Sequence, residues 1–324
     1  IALGHDASGK QVSTEGFSEN GTDIEWSRDV DRYRTIDRDF EADDGPRRRY
    51  SVTGDILSYR RCARQYGHFT DFGFSPAGSG QLYFGQVVHR TLDRVHQQYK
   101  GQIKGKEAGV VPDEETVEEY FQQVSESLVS RGIYPMSEMA EEKALEYIQR
   151  FNRQMGEELY PAVKDTEHQL KRQHEDFVLQ GTVDVLTRSA AADDDPGDWE
   201  IWDYKASQVP SEESHDLQNY QFQMQVYAGL FELKNGKLPC RVVLDVLGAE
   251  NPEDAMVEIP FTREKIDHAI EIFSNTVDDI EESRRKESWP APDPEDAPTE
   301  ETCADCDLRW DCPAVEGKYP LRTP

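Results

Sequence analysis

From Gln81 to Lys100, the apolar residues Phe84, Val88, Leu92, Val95 and Tyr99 recur at helical spacing and predict one amphipathic helix. Two further stripes follow, Val117, Tyr120, Val124 and Leu128, then Leu145, Ile148, Phe151, Met155 and Leu159. They predict a helical insertion over residues 101–165 that packs on a core or lines a groove. From about residue 167 the period shortens. His168–Val178, Leu179–Arg188 and Trp199–Lys205 read as strands, with an acidic turn, Ala190–Asp198, between the last two. Leu217–Lys234 returns to helical spacing and stops at Asn235-Gly236. Cys240–Leu247 and Met256–Phe261 read as strands and Arg263–Arg285 as a helix. Ahead of all these, Ser51–Tyr66 reads as a short helix capped by Ser51 or Thr53. The order helix, strands, helix, strand predicts an α/β (α+β) fold with a central mixed sheet flanked by helices, and there is no internal repeat.

Composition adds boundaries. Residues 1–50 are polar, without apolar periodicity, and read as an extended or disordered arm. Residues 51–324 then form one domain. The arm ends in Pro46-Arg47-Arg48-Arg49, a solvated patch or a contact for a phosphate backbone. The chain carries 65 acids against 36 Lys and Arg, a net charge of −29. Nucleic-acid binders are usually basic. Either the acids form a surface suited to high salt, or the partner is not nucleic acid. No stretch approaches the ~18 apolar residues of a membrane-spanning helix. The first residues do not form a signal peptide and there is no initiator methionine, so a processed chain or the tail of a longer polypeptide is expected.

Candidate chemistry gathers between Gly181 and Tyr227. On a strand, Asp203 and Lys205 point one way and Tyr204 the other. If Asp184 neighbours Asp203 across the ladder, the two carboxylates can share a hard divalent cation. A lysine beside it suits stabilisation of charge developing on a phosphate. Gln223 and Tyr227, four apart, share a helical face, with Tyr220 one turn earlier. On the first long helix His89 lies over Gly85, which leaves room beside the imidazole. Each motif alone has a plainer reading: an ion pair, polar trim on a buried helix, a half-buried histidine.

The cysteines are Cys62, Cys240, Cys303, Cys306 and Cys312. An odd number with a local triplet suits a reduced, cytosolic protein and a thiolate metal site better than a disulfide framework. One cysteine plus a distant three is unlike the paired ligands of zinc sites and compatible with a 4Fe-4S cluster. Cys240 reads as a small buried hydrophobe.

The ordered set Cys62, His89, Asp184, Asp203-x-Lys205, Gln223-x-x-x-Tyr227, Cys303-x-x-Cys306-x5-Cys312 resembles the PD-(D/E)XK nucleases of the RecB type. More narrowly it resembles their iron–sulfur branch, the AddB nuclease domain and the CRISPR-associated RecB-like exonucleases. The likeness covers roughly residues 51–315; Ala63 stands where this branch commonly has proline after the first cysteine. The resemblance implies a restriction-endonuclease-like core with a C-terminal iron–sulfur segment over 300–315. It implies Mg2+ or Mn2+ held by His89, Asp184, Asp203 and the Tyr204 carbonyl, with Lys205 catalytic and Gln223 and Tyr227 holding DNA and positioning the lysine. It implies a 4Fe-4S cluster on Cys62, Cys303, Cys306 and Cys312. The activity expected is metal-dependent cleavage of single-stranded DNA or DNA ends, as an exonuclease rather than an endonuclease. The expected setting is cytoplasmic DNA repair, with a helicase in cis or in trans and no membrane. A CRISPR-adaptation exonuclease and a non-cleaving DNA-binding scaffold are the alternatives.

Overall fold

The computed structural model describes residues 47–74, 80–174, 176–188, 196–211, 213–295, 297, 300–304 and 306–319. The arm expected over 1–50 lies outside them up to residue 46, as does most of the acidic turn. The last arm residues behave differently from the expectation. Arg48–Ser51 form strand β1, with the arginines exposed and Tyr50 buried. The short helix expected over Ser51–Tyr66 is broken. Wide, π-type turns span Val52–Leu57, tight helical turns span Ser58–Arg61 and Ala63–Tyr66, and Cys62 between them is extended at φ −164 and ψ 105. Ser51 caps the first turn: its Oγ accepts from Gly54 N at 3.1 Å and donates to Asp55 Oδ2 at 2.7 Å.

Helix α1 runs over Gly80–Tyr99, α2 over Glu114–Val129 and α3 over Glu138–Leu159. Asp113 and Ser137 cap the last two from the side chain, where orphan amides need partners. Strand β2 covers Val163–Gln173 and β3 covers Phe177–Arg188. The expected first strand, His168–Val178, is therefore displaced, because β2 ends at Gln173 and β3 begins at Phe177, so the break does not fall between Val178 and Leu179. Strand β4 is Trp199–Lys205, α4 is His215–Asn235, β5 is Arg241–Val246, β6 is Met256–Glu258 and α5 is Arg263–Arg285. Gly236, at φ 77, closes α4 in the left-handed conformation that glycine adopts without strain. Among the described residues no helix is long and apolar enough to cross a membrane.

The sheet is mixed. Its order is β1-β3-β4-β5-β6, with β2 also on β3. Strand β2 pairs antiparallel along most of β3 and occupies one edge of it. The other edge is shared. Strand β1 pairs parallel with Phe177–Gln180, and β4 pairs antiparallel with Val185–Arg188. Residues 181–184 lie between, where the carboxyl ends of β1 and β4 converge. Helices α1, α2 and α3 cover one face through Val88, Leu92, Tyr120, Leu128, Ile148 and Phe151, which pack on Trp202, Tyr204 and Val243. Helices α4 and α5 and the segment 50–66 cover the other, on Leu179, Ile201, Val242 and Leu244. A sheet covered on both faces explains the near-continuous apolar runs of β4 and β5.

Candidate active site

The gap in the β3 edge holds the chemistry. The register Val185↔Trp202 would next set Asp184 against Asp203, but the ladder ends there. In its place the Asp184 side chain enters the strand spacing, and Oδ2 accepts the Tyr204 amide at 2.7 Å. Asp184 Oδ1 meets His89 Nδ1, from α1, at 3.1 Å. Burial pulls the His89 pKa down, but the Asp184 carboxylate outweighs it and holds the imidazole up at about 9. One turn earlier, Gly85 lines the same cleft, and a Cβ added there would touch nothing within 4 Å. The room expected beside His89 is present.

Asp203, Gln223 and Tyr227 are buried, each about 3 % exposed or less. Gln223 spans the pair from the helix side. Its Nε2 donates to Asp203 Oδ1 at 3.0 Å and its Oε1 accepts from Lys205 Nζ at 3.0 Å. The same Nε2 lies 3.0 Å from the Tyr227 hydroxyl. Lys205 Nζ sits 2.5 Å from Asp203 Oδ2 and 4.7 Å from the centroid of Tyr220. Burial alone would lower the lysine, yet Asp203 beside it holds Lys205 above its usual range. Burial, opposed by the Lys205 ammonium and aided by Asp184, holds Asp203 above its usual carboxylate range. Behind the strand, Tyr204 Oη meets His96 Nε2, also on α1, at 2.9 Å. Burial, with the Lys100 charge, holds His96 down at about 3, so the ring is neutral. Two histidines of one helix thus tie α1 to β3 and to β4.

Glu167 was not singled out by sequence. It is one of 65 acids and carries no motif around it. One oxygen of Glu167, one nitrogen of His89 and one oxygen of Asp184 all lie within 4.8 Å of one another. An octahedral ion at about 2.1 Å from its ligands sets neighbouring donors ~3 Å and opposite donors ~4 Å apart, so this seat fits one. The side chain as a whole is exposed, but its carboxyl end converges on the cleft; burial of that end, then Asp184, lift it to about 7. Asp203 stands outside this trio. Its Oδ2 is buried against the Lys205 ammonium and keeps a second lone pair for a cation. The imidazole-and-carboxylate donor set suits Mn2+ or Mg2+. The cleft as a whole measures about 620 Å³.

A second site lies apart. Cys62, Cys303, Cys306 and Cys312 line one apolar cavity, together with Arg64 and Arg309, and none is in a disulfide. The extended break at Cys62 turns its thiol toward the C-terminal cysteines, and burial, then Cys306 and Cys312, raise its pKa. Among the described residues no three of the thiols lie within 4.8 Å of one another. Cys240 is not part of it. The burial expected for it is not found: it is exposed at the head of β5, where its Sγ donates to the Trp199 carbonyl at 3.3 Å.

Comparison with known proteins matches residues 52–313 to the family model of the PD-(D/E)XK nuclease superfamily. The chain belongs to the PD-(D/E)XK nuclease superfamily. The mixed sheet with helices on both faces is the restriction-endonuclease-like core of such a nuclease. No curated protein matches this PD-(D/E)XK chain. Among solved structures, a protein of Eubacterium rectale provisionally named an exonuclease is similar at 12% identity and a TM-score of 0.47, covering 98% of this chain and 96% of that one. Another, named SSO0001, is similar at 14% identity and a TM-score of 0.32, covering 81% of this chain and 98% of that one. At these values they add nothing to the assignment.

Proposed function

We propose that this PD-(D/E)XK protein is a divalent-metal-dependent deoxyribonuclease acting on single-stranded DNA or DNA ends, in exonuclease mode. One observation carries the reading: the Gln223 amide joins Asp203 to Lys205 in the cleft that holds the His89–Asp184 pair. His89, Asp184 and Asp203 would hold the ion, with the Tyr204 carbonyl beside them. When bound, such an ion polarises a phosphoryl oxygen and acidifies its water. Lys205 presents an ammonium, already desolvated and aimed, to the charge that develops on the phosphate. Gln223 fixes where that ammonium sits, and Tyr227 fixes Gln223. Cleavage of labelled single-stranded DNA with Mn2+, beside Asp203→Ala and Lys205→Ala, tests this. Both variants lose cutting by a hundredfold or more, on the scale of removing a preorganised electrostatic group; wild-type protein that cuts no better than they do ends the reading.

We also infer that the four thiols hold a 4Fe-4S cluster, which would place the protein in the RecB-like iron–sulfur branch. The convergence of Cys62 with three cysteines from the far end of the chain supports this, as does their one-plus-three spacing. Its role is structural, closing a long loop around the core. Reduced thiolates suit a cytoplasmic location. Work in DNA repair beside a helicase, in cis or in trans, follows from the same branch. Anaerobic purification with iron and sulfide assay decides it; a colourless protein with stoichiometric zinc overturns it.

A further inference from the structure

Strand β2 breaks its own geometry at one residue. Thr166 is paired with Val185 and His168 with Val183, which sets Glu167 opposite Asp184. There Glu167 has a φ of 49. Among the described residues only it and Glu287, just beyond the end of α5, are non-glycine residues at positive φ. A side chain in that region costs free energy and persists only where its surroundings enforce it. The opposite strand is irregular at the same place. Val183 packs in the core under α4 and Val185 in the core under α1, although residues two apart on a strand normally share a face. The hairpin therefore turns over at the Glu167–Asp184 pair.

The turn brings a carboxylate into the cleft. It joins the His89 and Asp184 donor atoms within 4.8 Å and lines the cleft beside Asp93, whose Oδ1 accepts from Thr166 Oγ1 at 2.7 Å. Asp184, Asp93 and Asp203 all oppose its charge, and His89 favours it. Packing another carboxylate into that group, on a strained backbone, destabilises the empty protein. A bound cation reverses the balance.

We propose that Glu167 is a metal-ligating residue of this site, supplied by β2, which joins His89 and Asp184 in a three-donor seat beside Asp203. The inference rests on the nuclease reading for what the ion does, but not for how it is tested. Mn2+ is titrated into the full-length, metal-stripped protein and free Mn2+ is read by electron paramagnetic resonance; melting is followed without metal. Wild type, Glu167→Gln and Glu167→Gly are compared. Both variants weaken Mn2+ binding tenfold or more. Glu167→Gly also melts higher than wild type in the absence of metal, because glycine accepts the left-handed backbone and the carboxylate crowding is gone. Unchanged Mn2+ affinity in Glu167→Gln overturns the assignment. A lower melting temperature for Glu167→Gly overturns it too, since the residue would then be serving the fold. Wild type that binds no Mn2+ fails at the earlier step and removes the metal-dependent nuclease reading itself.

Discussion

Gly181 tests whether the helix behind the site positions the lysine. A Cβ built there would lie 2.5 Å from Tyr227 Cε1 and 2.8 Å from Cδ1. Ordinary contact begins near 3.4 Å, so the ring would have to withdraw by roughly 0.9 Å. It has nowhere to go: Tyr227 is 3 % exposed and packed in the core under α4. Overpacking of this kind costs about 1–3 kcal/mol. Replacing glycine also restricts the unfolded chain and returns about 0.4–1 kcal/mol. Gly181→Ala is therefore expected to lose about 1 kcal/mol and to melt roughly 2–4 °C lower. The functional loss is larger. Moving the Tyr227 hydroxyl strains its contact with Gln223, whose Oε1 positions Lys205, and a misplacement near 1 Å can cost about a hundredfold in rate. Denaturant melts and Mn2+-dependent cleavage of single-stranded DNA measure the two effects. Gly85→Ala is the control for stability alone: its Cβ meets nothing, and in a helix it stabilises by up to about 1 kcal/mol. Gly181→Ala with unchanged stability and cutting would refute the argument. So would activity that falls only in step with the folded fraction.

Cys312→Ser is expected to strip iron and sulfide from the purified protein and lower its melting temperature, whereas Asp203→Ala keeps both; metal analysis and melting check this. Asp245 is buried, and burial holds its carboxyl up at about 7, with Oδ2 unpartnered. The unfolded chain ionises this group near ~3.9, so between about pH 4 and 7 the fold retains a proton that the unfolded chain has released, and stability falls as pH rises. Asp245→Asn should match wild type near pH 4 and exceed it at pH 8, by on the order of 3 kcal/mol, in urea melts at the two pH values. Arg284 donates to Asp71 Oδ1 at 2.6 Å, Tyr50 Oη at 2.9 Å and Glu281 Oε1 at 2.6 Å, joining β1 and α5 to the segment at residue 71. Arg284→Met should cost about 2–3 kcal/mol by equilibrium unfolding, since it leaves Asp71 half-buried and unpaired.

Where the sequence was legible, one local rule decided the outcome. Strand β4 and helix α5 have the bounds that their patterns predict, because apolar period and flanking polar residues agree. Thr262, which caps α5 through Lys265 N, marks its start. Strand β1 escaped notice because Arg48-Arg49-Tyr50-Ser51 has one buried side chain; its pairing comes from β3, not from its own pattern. The β2–β3 turn was misplaced because Phe177 and Val178 extend an apolar run without a break. Asp203, Lys205, Gln223 and Tyr227 come together as their spacing suggested, since strand and helix periods fix which residues share a face. Glu167 could not be found that way. Its place depends on a backbone conformation that no residue type announces, in a chain where acids are everywhere.

Helices α2 and α3 interrupt the chain between the histidine of α1 and the first strand of the hairpin, and no residue of theirs lines the cleft. They look detachable, and a cut from residue 101 to 162 suggests itself as a route to a smaller nuclease. The packing forbids that design. Phe151 meets the ring of Tyr204 at 5.0 Å between centroids, and Tyr120, Leu128 and Ile148 roof the sheet face behind the strand that carries Asp203 and Lys205. Trimming would bare Trp202, Tyr204 and Val243 and loosen the helix that presents His89. The minimal unit of this enzyme is set by the back of its sheet, and shortening belongs in the glycine-bearing loop between Gly101 and Pro112.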